Sequence, residues 1–174
     1  NSIDSSNFIN KLLEIYETSI LYNIDLKKID FLVSKQAYIH SIIHYNDSTI
    51  SINCFKSDMI ITLIKPLSYF FNIKNINHQK SYLDPQKMVL ENFSDNRFKI
   101  KKYFKILKQL DHYHQIKLMI LNNIAHRLYI GGRIKYNEIY DFIISKLFIH
   151  KKNINLKSFK SINKFINDLY AKYE

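Results

Sequence analysis

Apolar residues near the start of the chain recur at intervals of three and four, the spacing of one buried face of an α-helix. The positions concerned are Phe8, Ile9, Leu12, Leu13, Tyr16 and Ile20. The pattern predicts a helix that runs to about Leu21. Ser5 or Ser6 is placed to cap it, because a serine hydroxyl accepts from the first free backbone N–H groups of a helix.

The other face of this predicted helix is polar and carries Asn10, Lys11, Glu14 and Glu17. Residues three and four apart are neighbours on a helix, so we expect Glu14 to reach both Asn10 and Lys11, with Ser5 one turn earlier. An ammonium, a hydroxyl and free N–H groups at the positive end of the helix dipole suit a phosphate. By itself the spacing is more often that of a solvated Lys–Glu face, because exposed pairs of this kind are common, and spacing alone does not decide between the two.

Strand patterns follow. Residues 39–45 and 49–55 alternate around the turn sequence Asn46-Asp47-Ser48, which predicts an antiparallel hairpin with one polar face. Residues 29–33 are a short apolar run typical of a buried strand, and residues 87–91 are a candidate for another. Residues 59–71 read as a helix that Pro66 would kink or shorten.

From about residue 96 the apolar spacing is helical throughout. Helices are predicted over the ranges 98–110, 118–130, 136–149 and 158–173, and Gly131-Gly132 is a stop signal for the second of them. The expected fold class is therefore α+β. A mixed α/β portion with a short hairpin-containing sheet, residues 1–95, precedes an all-helical C-terminal bundle, residues 96–174.

Composition allows a packed core, since 47% of the 174 residues are apolar. Every apolar stretch is broken well short of the roughly 20 residues of a membrane span, so we expect no membrane partner. Cys54 is the only cysteine, which excludes an internal disulfide and favours a reducing compartment. The net charge of +11 is carried almost entirely by lysine, a weak indication of nucleic-acid binding because base and phosphate readers favour arginine.

Motifs for nucleotide binding are absent from the sequence. The chain has two glycines, adjacent to each other, which rules out a glycine-rich phosphate loop. His40, His44 and Cys54 on the hairpin are a weak candidate for a zinc site, because three ligands without a strict motif carry little information. The remaining histidines read as surface or ordinary helix-face positions, His126 among them.

Several short segments together resemble the 1-deoxy-D-xylulose 5-phosphate reductoisomerase family. That family has, in order, D-S-A-T-x-x-N-K-x-L-E, H-P-Q-S-x-I-H-S, x-D-G-S and P-D-M elements. The corresponding segments here are Asp4-Ser5, Asn10-Lys11-x-Leu13-Glu14, Ile39-His40-Ser41, Asn46-Asp47 and Asp58-Met59. Fainter matches are Asp95-Asn-Arg-Phe98 and Leu118-Met-Ile-Leu-Asn-Asn123, so the resemblance covers essentially the whole chain as the second half of a family member.

The resemblance implies an activity and a set of roles. Family members isomerise 1-deoxy-D-xylulose 5-phosphate and reduce the intermediate with NADPH to 2-C-methyl-D-erythritol 4-phosphate in isoprenoid biosynthesis, using Mn²⁺ or Mg²⁺. Ser5, Asn10 and Lys11 fall on the family's phosphate-binding residues, and Glu14 falls on its catalytic, metal-ligating glutamate. His40 and Met59 match residues that line the site. A homodimer, and a bacterial cytoplasm or plastid-type organelle as the compartment, are also implied.

Departures from the family pattern bear on these roles. Leu12 replaces a glycine, Ala37 the serine of H-P-Q-S, and Ser57 the proline before D-M. The NADPH-binding half and the other acidic metal ligands are not in this sequence, so we expect the 174 residues alone to be inactive. The first residue is not Met, which suggests a piece of a longer protein. A degenerate, non-catalytic relative and a basic helical RNA-binding protein remain as alternatives.

Overall fold

A computed structural model describes residues 3–34, 36–55, 58–72, 89–91, 100–149 and 156–174. For Asp4, Ser5, Met59 and Lys65 it describes the backbone only. The chain forms two compact units, one made of Asn1–Phe31 with Ser94–Glu174 and the other of Leu32–Phe93. The first helix thus groups with the C-terminal helices, whereas the sequence predicted a division at residue 95. As a statement about domains, that division stays a prediction.

The first unit begins with a short helix, α1 (Ile3–Ser6), followed by α2 (Ile9–Tyr22). The predicted helix is confirmed, but its N-cap residue is Phe8, two positions after Ser6. Asn7 supplies the capping oxygen, because its Oδ1 accepts from Ile9 N–H at 3.0 Å, while Ser6 Oγ donates to the Ile3 carbonyl. Helix α2 ends at Asn23, whose left-handed conformation (φ 52°) is one that asparagine tolerates well.

The buried face of α2 lies over its first half. Its buried residues are Ile9, Leu12, Ile15 and Tyr16. Ile20, predicted to be buried, is 64% exposed, and the two residues after it are exposed as well. The prediction was wrong there because apolar spacing says nothing about where the neighbouring elements end. Helix α2 packs against α4 (Ile100–Lys108) and α5 (His112–Ile130), and a 3-10 turn, Leu26–Lys28, follows it.

The C-terminal helices of the same unit pack around α5. These are α6 (Ile139–Leu147), preceded by a 3-10 turn at Tyr136–Glu138, and α7 (Phe159–Tyr173). One apolar cluster joins α5 to α7 and consists of Ile120, Ile124, Leu128, Phe165 and Leu169. The glycine stop is confirmed: α5 ends at Ile130, and Gly132 adopts φ 70°, a conformation that residues with a Cβ rarely take.

The second unit contains the predicted hairpin. Strands β2 (Ile39–His44) and β3 (Ile50–Cys54) pair antiparallel, with Ile42 opposite Ile52 and His44 opposite Ile50. The register shifts between Ile39 and Ser41, so His40 lies in a bulge. The turn forms as its chemistry predicts, because Asp47 Oδ1 accepts from Thr49 N–H at 2.9 Å.

The remaining elements of this unit differ in part from expectation. The apolar run 29–33 forms no long strand; only Val33–Ser34 (β1) pairs, with Leu90–Glu91 (β4). Helix α3 (Met59–Phe70) continues through Pro66 without being shortened, and Asp58 caps it. The polar sequence of residues 72–84 predicts a loop, and this segment falls almost entirely outside the described residues.

The structure thus confirms the predicted α+β class with a helical C-terminal portion. In the parts of the chain that are described, no helix is both long enough and apolar enough to cross a bilayer.

Candidate functional site

The polar face of α2 brings together three of the predicted site residues. Glu14 Oε1 accepts from Asn10 Nδ2 at 2.7 Å, and Glu14 Oε2 accepts from Lys11 Nζ at 2.6 Å. The predicted contact of Glu14 with both neighbours is therefore confirmed. An amide, an ammonium and a carboxylate lie within one turn of each other near the N-terminus of the helix.

These groups remain accessible to a ligand. The side chains of Lys11 and Glu14 are 47% and 45% exposed. An exposed ion pair at this helical spacing is worth only about 0.3–0.5 kcal/mol, so a stronger partner separates it at little cost. A phosphate can thus replace Glu14 as the partner of Lys11, and a cation can replace Lys11 as the partner of Glu14.

The backbone before this face has an unusual conformation. Phe8 adopts φ 58° and ψ 3°, in the left-handed region that bulky residues rarely occupy. Its carbonyl accepts the first helical N–H groups, those of Lys11 at 3.2 Å and Leu12 at 3.4 Å. Its ring stacks on Phe31 with centroids 5.9 Å apart. The backbone conformation of Phe8 therefore determines the direction in which α2 begins.

Asn7, immediately before this turn, belongs to a buried polar cluster that sequence reasoning missed. Asn7, Asn122 and His126 are 1%, 2% and 9% exposed. Asn7 Nδ2 lies 3.2 Å from Asn122 Oδ1 and 3.2 Å from His126 Nε2. The interpretation of His126 as an ordinary helix-face residue was wrong, because this face of α5 is covered by the start of the chain. The available signal was that Asn122 and His126 are four positions apart, on one face of a predicted helix, next to the apolar residues Leu121 and Ala125.

A second contact joins the same segment to the other side of the unit. The Tyr136 hydroxyl donates to Ser6 Oγ at 2.8 Å, and Ser6 Oγ in turn donates to the Ile3 carbonyl. The backbone of Ser5 lies in α1 between these residues. The Ser5 side chain itself lies outside the described residues, so its predicted role at a phosphate stays a prediction.

The two remaining candidates are in the second unit. The ring of His40 stacks on Phe55 with centroids 3.7 Å apart, and its Nε2 donates to the Phe55 carbonyl at 3.2 Å. Met59 is the first residue of α3, and its side chain lies outside the described residues. Their predicted place in the site stays a prediction.

Metal binding was also considered on the sequence. Among the residues that the structure describes, no three His, Cys, Asp or Glu side chains converge on a possible metal position, and His40, His44 and Cys54 do not form such a group. Glu14 nevertheless fits the role of a single ligand, since a half-exposed carboxylate has lone pairs to spare and oxygen is the donor that Mg²⁺ and Mn²⁺ prefer. Other oxygen ligands would have to complete such a site.

Solved structures share this fold. A reductoisomerase from Zymomonas mobilis in complex with NADPH superposes with a TM-score of 0.83 at 22% identity, over 99% of this chain and 45% of that protein. A DOX-P reductoisomerase in complex with NADPH, fosmidomycin and magnesium does so with a TM-score of 0.83 at 18% identity, over 99% and 44%. The fold is therefore that of part of a reductoisomerase.

Curated relatives show which kind of reductoisomerase the chain is similar to. The chain is similar to the 1-deoxy-D-xylulose 5-phosphate reductoisomerases of Pelagibacter ubique (21% identity, 95% of this chain, 45% of the relative) and Clostridium novyi (28%, 82% and 37%). It also matches the apicoplastic enzyme of Plasmodium falciparum (29%, 82% and 29%). No protein-family model matches. The resemblance inferred from the motifs is thus confirmed, and the chain spans less than half the length of these relatives.

Proposed function

We propose that this chain is the C-terminal part of a 1-deoxy-D-xylulose 5-phosphate reductoisomerase that converts its substrate to 2-C-methyl-D-erythritol 4-phosphate. The observation that carries the proposal is the contact of Glu14 with both Asn10 and Lys11 at the start of α2. These residues match the family motif, and overall identity to the relatives is 21–29%. Overall similarity therefore agrees with the local chemistry.

The helix start is the proposed phosphate site. Lys11 supplies a positive charge, Asn10 an amide donor and Ser5 a hydroxyl, and the helix dipole adds a favourable field for an anion. The Lys11–Glu14 pair opens at little cost because both side chains are nearly half exposed. Binding the phosphate here would fix one end of the substrate at a set distance from Glu14, one helical turn further along α2.

Glu14 is the residue by which this chain is proposed to bind a divalent cation, either Mg²⁺ or Mn²⁺. Such a cation, when bound, polarises a carbonyl and stabilises negative charge on a neighbouring oxygen. The task of Glu14 is to hold that charge at a defined distance from the phosphate site, which the single helical turn between Asn10 and Glu14 sets. His40 and Met59 are proposed to line the same site.

The rest of the enzyme supplies what the chain lacks. NADPH is proposed to bind mainly to the part absent from these 174 residues, together with further acidic ligands for the cation. We therefore expect no turnover from the 174-residue chain alone. A bacterial cytoplasm or plastid-type organelle is proposed by analogy with the relatives, which include bacterial and apicoplastic enzymes. A homodimer is proposed from the family resemblance alone.

The test is NADPH oxidation by the full-length product of the parent gene, supplied with 1-deoxy-D-xylulose 5-phosphate and Mg²⁺ or Mn²⁺. Glu14→Gln keeps the size of the side chain and its acceptor oxygen but removes the charge. We expect kcat/KM to fall by at least roughly 100-fold, with a higher requirement for the cation. Glu17→Gln, on an exposed part of the same helix, is the matched control and should stay within about twofold of the parent enzyme.

The outcomes separate the alternatives. Equal activity of the parent and the Glu14→Gln variant would remove Glu14 from the metal. A well-folded full-length protein without turnover would instead favour a degenerate, non-catalytic relative, which the wide sequence divergence leaves as the second candidate.

A further inference from the structure

The buried cluster of Asn7, Asn122 and His126 joins residues 115 and 119 positions apart in sequence. Buried amide and imidazole groups cost free energy unless they are hydrogen-bonded, and side chains at this depth are usually apolar. The contact between three such polar side chains, one just before α2 and two on α5, therefore needs a structural reason. The reason lies in what Asn7 does to the backbone beside it.

The side-chain oxygen of Asn7 has one partner and its side-chain nitrogen has two. Oδ1 accepts from Ile9 N–H at 3.0 Å, so Nδ2 must be the atom that faces α5. An amide nitrogen only donates, so Asn122 Oδ1 and His126 Nε2 are its two acceptors, each at 3.2 Å. With Nε2 as an acceptor, a neutral His126 carries its proton on Nδ1. Reversing the amide would place two donors against each other at Ile9 and two acceptors at Asn122.

The cluster thereby holds the turn from which α2 starts. The side chain of Asn7 is hydrogen-bonded to α5, and its backbone leads directly into the left-handed residue Phe8. The conformation of Phe8 is disfavoured without support from its surroundings. The Tyr136–Ser6 hydrogen bond at 2.8 Å restrains the residue on the other side. Asn10, Lys11 and Glu14 follow three, four and seven positions after Asn7, so their directions depend on this anchored turn.

We propose that Asn7, held by Asn122 and His126, is a positioning residue that sets the phosphate-facing start of α2. The inference rests on the proposed function, since the phosphate site is part of it. Asn7 touches no substrate in this role. It acts through the backbone of Phe8 and Ile9, which carries the ligand-facing residues.

The test uses the full-length enzyme and changes the acceptor on α5, because Asn7→Ala also removes the cap of α2 and can fail to fold. His126→Leu removes the acceptor, whereas His126→Gln retains an acceptor oxygen. We expect His126→Leu to raise the KM for substrate and the Kd for inorganic phosphate, measured by calorimetry, by roughly three- to tenfold. We expect kcat to stay within about twofold, and His126→Gln to restore both constants.

A destabilised control separates positioning from general loosening of the fold. Leu169→Ala removes packing between α7 and α5 without touching the polar cluster, and should lower the unfolding midpoint by several degrees. Its KM and phosphate Kd should not change. The inference would be overturned if Leu169→Ala and His126→Leu changed the KM and the phosphate Kd equally. It would also be overturned if neither constant changed in His126→Leu.

Failure of the proposed function gives a different pattern. An inactive parent enzyme that binds phosphate, with affinity lost in His126→Leu and restored in His126→Gln, would refute the reaction and retain the positioning role. A parent protein that binds no phosphate would refute both.

Discussion

Two buried tyrosines show how the partner of one hydroxyl group decides its effect on stability. Tyr16 and Tyr140 are 4% and 7% exposed. The Tyr16 hydroxyl donates to the Leu107 carbonyl and ties α2 to α4. The Tyr140 hydroxyl has no hydrogen-bond partner among the described residues. A bonded buried hydroxyl stabilises a fold, whereas an unbonded one costs free energy because it has lost its water.

Replacing each tyrosine by phenylalanine should therefore have opposite results. Tyr16→Phe should lower the free energy of unfolding by about 1 kcal/mol at pH 8, because it leaves the Leu107 carbonyl without this donor. Tyr140→Phe should leave it unchanged or raise it. Urea denaturation of the two variants and the parent chain measures the difference. An equal loss in both would show that the Tyr140 hydroxyl is bonded in solution.

The same tyrosines predict a loss of stability in alkali. Burial raises the pKa of Tyr16, and burial together with the nearby Tyr136 raises the pKa of Tyr140. Above about pH 10 the unfolded chain releases these protons while the folded chain keeps them, so stability falls as pH rises. Each Tyr→Phe variant should show a smaller fall between pH 9 and about 11 than the parent in urea titrations. An unchanged slope in both variants would contradict the assignment.

Helix boundaries in this chain depend on capping as much as on apolar spacing. The apolar pattern placed the start of α5 at about residue 118, but the helix begins at His112. Asp111 explains the difference, since its Oδ1 accepts from His114 N–H at 3.0 Å and lies 2.7 Å from His114 Nδ1. Because the first turn of α5 is largely polar, apolar periodicity does not reveal it, although the capping residue Asp111 can be recognised in the sequence.

Removing this cap should destabilise the helical unit. Asp111→Ala leaves the His114 N–H in the first turn of α5 without its side-chain acceptor and should cost about 1 kcal/mol of unfolding free energy. Asp111→Asn keeps an acceptor oxygen and should cost less than half as much. Thermal and urea unfolding of the two variants measure these values, and identical losses would show that the charge of Asp111, not its capping bond, is what matters.

At the scale of the whole molecule, charge is the feature that most needs interpretation. Lysine and arginine number 26, yet only three of them are arginine. Two of those are engaged within the fold: Arg127 donates to both carboxylate oxygens of Glu174 at 3.1 Å, and Arg133 donates to the Glu174 carbonyl at 2.7 Å. The Arg127 side chain is 60% exposed, so its ion pair is weak, and what disfavours nucleic-acid binding is the small number of guanidinium groups in the chain.

The chain should accordingly bind nucleic acid weakly. Fluorescence anisotropy with a mixed-sequence RNA at 150 mM salt should give no binding tighter than about 10⁻⁴ M. Affinity near 10⁻⁶ M with a steep dependence on salt would instead support the basic RNA-binding alternative. A Lys101→Glu/Lys105→Glu variant, altered on the exposed side of α4, provides the control for a specific lysine surface.

The sequence by itself determined the features that depend on neighbours within a few residues. These include the polar face of α2 with Glu14 between Asn10 and Lys11, the Asp47 turn of the hairpin and the glycine end of α5. Helical spacing and turn chemistry act over three or four residues, so the amino-acid sequence is sufficient to predict these features. The family motifs carried the functional interpretation on the same local basis.

Only the tertiary structure decided which distant residues meet. Asn7 and His126 are 119 positions apart, and each alone reads as a surface residue, because a polar side chain is usually solvated. Their burial against each other exists only once α5 covers the start of α2, a consequence of packing that no local pattern encodes. The grouping of Asn1–Phe31 with Ser94–Glu174 has the same origin.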